Sequence, residues 1–103
     1  MKIATWNVNS INIRMEHLLD WLKSTGTDVI CLQETKSVDE KFPFEPIVEA
    51  GYKVEFMGEK SYNGVAIVSK HPIENVQKNF PDDPEDAPKR LIAATIKGVR
   101  IVN

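Results

Sequence analysis

The spacing of hydrophobic positions changes several times along the chain, and each spacing predicts an element. Lys2 to Val8 is short, apolar and rich in β-favouring residues, which predicts a strand ending near Asn7. Met15, Leu18, Leu19 and Leu22 then fall at i, i+3, i+4 and i+7 and share one helical face, while Glu16, His17, Asp20 and Lys23 fall largely off it. Asn12 is the predicted N-cap and Gly26 the stop. Burying the four apolar side chains contributes roughly 1.5–3 kcal/mol each before chain entropy is counted. Val29-Ile30-Cys31-Leu32 is a continuous apolar run, so Asp28 to Gln33 predicts a buried strand. Strand, helix and strand in this order make a βαβ unit, whose two strands run parallel.

A short helix is predicted over Phe44 to Ala50, with Pro46 in its first turn and Gly51 ending it. From there the period becomes two: Tyr52, Val54 and Phe56 alternate with Lys53, Glu55 and Met57, as in a half-buried strand. Gly58 to Asn63 is a polar turn and Gly64 to Ser69 the returning strand. A weak strand follows at Ile73 to Gln77, then a Pro- and Asp-rich loop from Phe80 to Pro88, whose acidic part, Asp82 to Asp86, predicts a solvated excursion. Leu91 to Lys97 and Val99 to Asn103 predict a final pair of strands around Gly98. The sequence stops within that last strand, with no turn or tail, and so reads as a piece of a larger domain.

Composition narrows the class without deciding it. The chain has 103 residues, 42% hydrophobic and 27% charged, the balance of an ordinary globular domain. Its 13 basic and 15 acidic side chains supply no overall positive field, which weighs against indiscriminate nucleic-acid binding but leaves room for a local basic patch or a bound divalent cation. Cys31 is the one cysteine, so no disulfide forms within the chain, and its apolar neighbours predict a small buried hydrophobe. The N-terminus has no secretory h-region and no stretch reaches membrane-spanning length, so the expectation is a cytoplasmic protein without a membrane partner.

Chemistry gathers at strand exits. Leu32-Gln33-Glu34-Thr35-Lys36 leaves the second strand where parallel α/β sheets collect ligands, and the first strand leaves through Asn7 and Asn9. Neighbouring strands lie about 4.8 Å apart, so Asn7 and Glu34 can aim oxygen atoms at one point. Two hard oxygen donors suit Mg²⁺ or Mn²⁺. The bland alternative has Glu34 pairing with Lys36 and Asn7 bonding to backbone at a strand end.

Four ordered boxes carry a resemblance: Thr5-Trp6-Asn7-Val8-Asn9, Leu32-Gln33-Glu34-Thr35-Lys36, Tyr62-Asn63-Gly64-Val65-Ala66 and Lys89-Arg90-Leu91-Ile92. Together they resemble the exonuclease III family, bacterial enzymes that cut DNA at abasic sites and trim 3′ ends. The resemblance implies an α/β fold, the N-terminal half of a four-layer α/β sandwich, here a mixed sheet with helices on one face. It implies that residues 1–103 are a partial nuclease domain lacking its C-terminal half and, with it, the second sheet. The inner face of the first sheet is then expected to be an exposed apolar patch, prone to self-association.

The resemblance also implies that Asn7 and Glu34 help hold Mg²⁺ or Mn²⁺, that Lys36 lies beside the site, and that Tyr62, Asn63 and Arg90 face DNA. The implied partner is duplex DNA with abasic sites or 3′ ends. For Lys36 and Arg90 the alternative is an ordinary surface charge, and for Tyr62 a core aromatic. Asn12 stands where many members carry Arg, and Arg14 is the nearby substitute. His17 and His71 match no family histidine. The groups that orient the attacking water lie beyond residue 103, so the isolated chain is expected to be inactive. Rival readings are a phosphoesterase of the same superfamily acting on RNA or lipid, and a non-catalytic scaffold or DNA-binding module.

Overall fold

The structure, a computed structural model, describes residues 1–80, 82–84 and 87–103. The order is β1 (Ile3–Asn7), α1 (Ile11–Thr25), β2 (Val29–Gln33), a 3₁₀ turn at Asp39–Lys41, α2 (Phe44–Glu49), β3 (Lys53–Met57), β4 (Val65–Ser69), β5 (Glu74–Lys78), β6 (Ile92–Ile96) and β7 (Val99–Val102). The first four strands form one mixed sheet in the order β1-β2-β4-β3. The predicted βαβ unit is there: β1 and β2 are parallel, in a register that sets Asn7 opposite Gln33. The β2–β4 and β3–β4 pairs are antiparallel.

Helix α1 begins at Ile11 rather than after Asn12. Ser10 is its N-cap and makes no side-chain capping bond. The Ser10 and Ile11 N–H groups instead donate to the carbonyls of Glu34 and Thr35, both at 2.9 Å, so a distant loop supplies the cap. The helix ends, as predicted, at a left-handed Gly26. Its buried face (Ile11, Leu18, Leu22) packs with Ile30, Leu32, Ala66 and Val68 on the outer side of the sheet. Ile47 of α2 and Phe42 join the same core, and the Phe42 and Phe56 rings stack with centroids 4.1 Å apart. Both helices therefore cover one face, as expected. Tyr52, Val54 and Phe56 pack against that core while Met57 belongs to the opposite one, which confirms the period-two reading.

The opposite face corrects the sequence reading. A second sheet is present, with strands in the order β5-β6-β7, all antiparallel. Ile92, Ala94 and Ile96 of β6 and Ile101 of β7 form a second core with Val29, Cys31, Met57, Val65 and Ile67. The expected apolar patch on the inner face is accordingly covered there. Strands β2 and β4 are apolar on both sides because each faces a helix layer and a sheet layer. Asn103 ties the two sheets together: its amide donates to the carbonyls of Leu32 (3.0 Å) and Ala66 (2.9 Å) and accepts from Gln33 Nε2 (2.8 Å).

The outer edge of β1 stays unpaired in this sheet. Beside it lies an apolar cleft of about 660 Å³, lined by Ala4, Trp6, His17, Trp21 and Ile30 among others. In the loop before β6, Asp82, Asp83 and Pro84 are exposed, and Glu85 and Asp86 lie outside the described residues. Among the described residues no helix is long and apolar enough to cross a membrane.

Candidate metal and phosphate site

The parallel pairing of β1 with β2 delivers two side chains to one end of the first sheet. Asn7 closes β1, and its Nδ2 donates to Glu34 Oε2 just past β2. Asn7 Oδ1 accepts from the Asn9 N–H at 3.1 Å, and Asn9 Oδ1 accepts from Lys36 Nζ at 2.5 Å. Lys36 Nζ returns to within 3.9 Å of Glu34 Oε1, which closes a ring of four residues. Both contacts of the bland alternative are present in this ring: Glu34 pairs with Lys36 at a long 3.9 Å, and Asn7 bonds to backbone at the strand end. Both charged side chains are partly exposed, so that ion pair adds little stability.

The backbone around the ring is unusual. Asn9, Ser10, Glu34, Lys36 and Asn63 all have φ between 46° and 87°, in the left-handed region that non-glycine residues seldom enter. Glu34 and Lys36 flank Thr35, whose side chain is fully buried and whose hydroxyl has no hydrogen-bond partner among the described residues. The loop is pinned from three sides: Thr35 N donates to Gly64 O (3.2 Å), Lys36 N to Asn63 O (2.9 Å), and Gly64 N to Lys89 O (2.9 Å). Gly64 has φ +92°, and a Cβ placed there would meet Thr35 Oγ1 at 2.1 Å. Only glycine lets the third box lie this close to the second.

A cleft of about 460 Å³ opens at this end, lined by Asn7, Gln33, Glu34, Asn63, Gly64, Val65, Lys89 and Arg90. Asn7 and Glu34 line it together, joined by the Asn7 Nδ2–Glu34 Oε2 bond, with Asn7 Oδ1 accepting from the Asn9 N–H. Across it, Asn63 Oδ1 accepts from Arg90 Nε at 3.3 Å. The structure thus brings Asn7, Glu34, Asn63 and Arg90 to one cleft and sets Lys36 beside it. Tyr62 is 70% exposed on the adjoining loop, so it is no core aromatic. Lys89, Glu59 and Thr35 bear on the same place and were given no role from sequence. Of these, Thr35 in the second box and Lys89 in the fourth carry a local signal, and Glu59 carries none.

The donor set fits a hard divalent cation. One carboxylate and one amide oxygen at a solvent-open cleft suit a cation that keeps several waters. Among the described residues no three His, Cys, Asp or Glu side chains converge, so a closed zinc-type cage is not what these residues build. The two histidines take no part. His17 is exposed on α1, and His71 Nε2 donates to Asp28 Oδ1 at 2.9 Å, at the opposite end of β2.

Comparison with known proteins agrees with this fold. Residues 4–103 match the Endonuclease/Exonuclease/phosphatase family. Exodeoxyribonuclease III of Haemophilus influenzae is 38% identical over 97 residues, which cover 94% of this chain and 36% of that protein. The solved 3′-5′ exonuclease of Neisseria meningitidis superposes with a TM-score of 0.96 at 43% identity, over all of this chain and 40% of its own. The solved AP endonuclease of Archaeoglobus fulgidus gives 0.93 at 43%, with the same coverage. The chain thus spans well under half the length of these relatives. Similar to these exonuclease III and AP endonuclease proteins in sequence and in fold, the chain belongs to the Endonuclease/Exonuclease/phosphatase family.

Proposed function

We propose that this chain is the metal-holding part of an exonuclease III-type DNA-repair nuclease. The whole protein hydrolyses phosphodiesters 5′ to abasic sites and at the 3′ ends of duplex DNA, in the cytoplasm, with Mg²⁺ or Mn²⁺. Residues 1–103 form a partial domain that lacks its C-terminal half and is inactive alone. The observation that carries this reading is the two-sided cleft, with Asn7 and Glu34 on one side and Asn63 and Arg90 on the other.

Asn7 and Glu34 would hold the cation, and Lys36 keeps the Glu34 carboxylate turned toward Asn7. A cation held there would supply Lewis-acid polarisation of a phosphate oxygen and charge stabilisation at the leaving oxygen. Arg90 grips a second phosphate oxygen, for which its planar guanidinium is suited. Tyr62, exposed on the adjoining loop, contacts the DNA backbone or a displaced sugar. The chain spans 36–40% of the length of its relatives, which is why the isolated chain is read as inactive.

Two measurements test the proposal. In the isolated chain, Mn²⁺ should broaden the backbone amide resonances around Asn7 and Glu34 selectively, and Glu34→Ala should abolish that pattern. Uniform broadening would sink the assignment of the site. A chain extended to the length of its relatives should cleave an abasic duplex with Mg²⁺, and Glu34→Ala should lower kcat at least about a hundredfold, the scale of losing a charge-stabilising group. Equal activity in both would mean that the metal is held without Glu34.

A further inference from the structure

A carboxylate is an unexpected neighbour for a surface that holds phosphate, yet Glu59 stands behind Asn63 on the loop between β3 and β4. Its Oε1 accepts two hydrogen bonds, from the Lys89 backbone N–H at 2.9 Å and from Asn63 Nδ2 at 3.0 Å. Asn63 in turn presents Oδ1 to Arg90 Nε at 3.3 Å. The directions in this relay are fixed by chemistry. An ionised carboxylate only accepts and a guanidinium only donates, so an amide between them has one orientation. The Lys89 N–H and then the Asn63 amide hold the Glu59 carboxyl below its ordinary range, so it stays ionised at neutral pH.

Asn63 is held elsewhere as well. Its φ is 51° and its carbonyl accepts from the Lys36 N–H, so its backbone cannot turn to reorient the side chain. Among the described residues, the Arg90 guanidinium has no hydrogen-bond partner other than Asn63, which leaves its Nη groups available on the cleft side. Meanwhile the negative charge of Glu59 is turned away from the cleft and answered by its own donors. Glu59 is not among the residues that line the cleft.

We propose that Glu59 is a positioning residue: through Asn63 it aims Arg90, so that the free guanidinium N–H groups meet one phosphate of a nucleic-acid backbone. This rests on the reading of the cleft as a phosphodiester site given above. Glu59 itself touches no phosphate. Its effect is to remove the rotational freedom that an exposed arginine would otherwise lose on binding.

The test uses the 103-residue chain and two readouts. The first is independent of DNA. The Arg90 Nε–H resonance, assigned by its absence in Arg90→Lys, should exchange slowly with water in the native chain. Exchange should quicken about tenfold in Glu59→Ala, on the scale of losing a hydrogen bond to a charged group, and return in Glu59→Gln, whose amide oxygen accepts the same two bonds. The second readout is anisotropy of a labelled abasic duplex. Arg90→Ala should weaken binding about tenfold, as expected for losing one charge-assisted phosphate contact. Glu59→Ala should weaken it by a similar factor, Glu59→Gln should not, and the double variant Glu59→Ala/Arg90→Ala should be no weaker than Arg90→Ala alone. Circular dichroism checks folding, and Glu59→Ser serves if Glu59→Ala does not fold.

If Arg90→Ala weakens binding while Glu59→Ala leaves it unchanged, or if the two effects simply add, the positioning role is wrong and the cleft reading stands. If the native chain does not bind the duplex, or Arg90→Ala binds as tightly, the cleft reading fails and takes this proposal with it.

Discussion

At the scale of single residues, the two ends of β2 do different work. At the entry, Asp28 accepts from the Lys2 backbone N–H at 2.7 Å and from His71 at 2.9 Å. The first of these and then the second lower its carboxyl from 3.8 to about 2. A group whose folded value lies below its unfolded value stabilises the fold at pH above the unfolded value, and that contribution fades as pH falls through the folded one. The stability gap between the native chain and Asp28→Asn, followed by urea unfolding, should therefore be widest above about pH 4 and close as pH falls toward 2. A gap independent of pH would refute the clamp. At the exit, Gly64→Ala forces a Cβ to within 2.1 Å of Thr35 Oγ1 at a left-handed φ, so a loss of about 1–3 kcal/mol is expected from the backbone alone. Cys31 is buried and its thiol is pushed up by desolvation, so a thiol reagent should label it only after denaturation. Asn7 and Glu34 were legible from sequence because both are strand-exit residues on neighbouring parallel strands. Glu59 was not legible, since its partners, Asn63 and Lys89, meet only once two loops are folded together.

At the scale of elements, helix α1 shows what a local pattern can and cannot carry. Its apolar face was readable from the spacing of Leu18 and Leu22, both fully buried against β2 and β4. Leu18→Ala should cost about 2–5 kcal/mol, measurable as a lower urea midpoint with unchanged slope. Its start lies two residues before the predicted one because the carbonyls of Glu34 and Thr35 replace a side-chain cap, a contact that no window around Asn12 contains. The β6–β7 hairpin was likewise placed correctly along the chain, with Lys97 and Gly98 at its turn. Its assignment to a second sheet was not readable. Alternation says that a strand has a buried face, and says nothing of which layer buries it.

At the scale of the whole molecule, the chain is three layers: helices, a mixed sheet and an antiparallel sheet, with two cores between them. The expected cause of self-association, a bare inner face, is gone. Among the exposed apolar features of the described residues is the outer edge of β1, unpaired in its sheet, with the apolar cleft beside it, where Trp21 is 38% exposed. Sedimentation velocity should show concentration-dependent association of the native chain that Trp21→Lys reduces, and equal behaviour of the two would argue against this edge. The left-handed residues are distributed unevenly. Of the nine described non-glycine positions with positive φ, five (Asn9, Ser10, Glu34, Lys36 and Asn63) lie in or beside one cleft. Glycine at such positions relieves strain, so a selection for heat resistance that ignored chemistry would favour Glu34→Gly and Lys36→Gly. Thermal hardening and loss of the site would then be the same event, and a thermostability score alone would record that loss as an improvement.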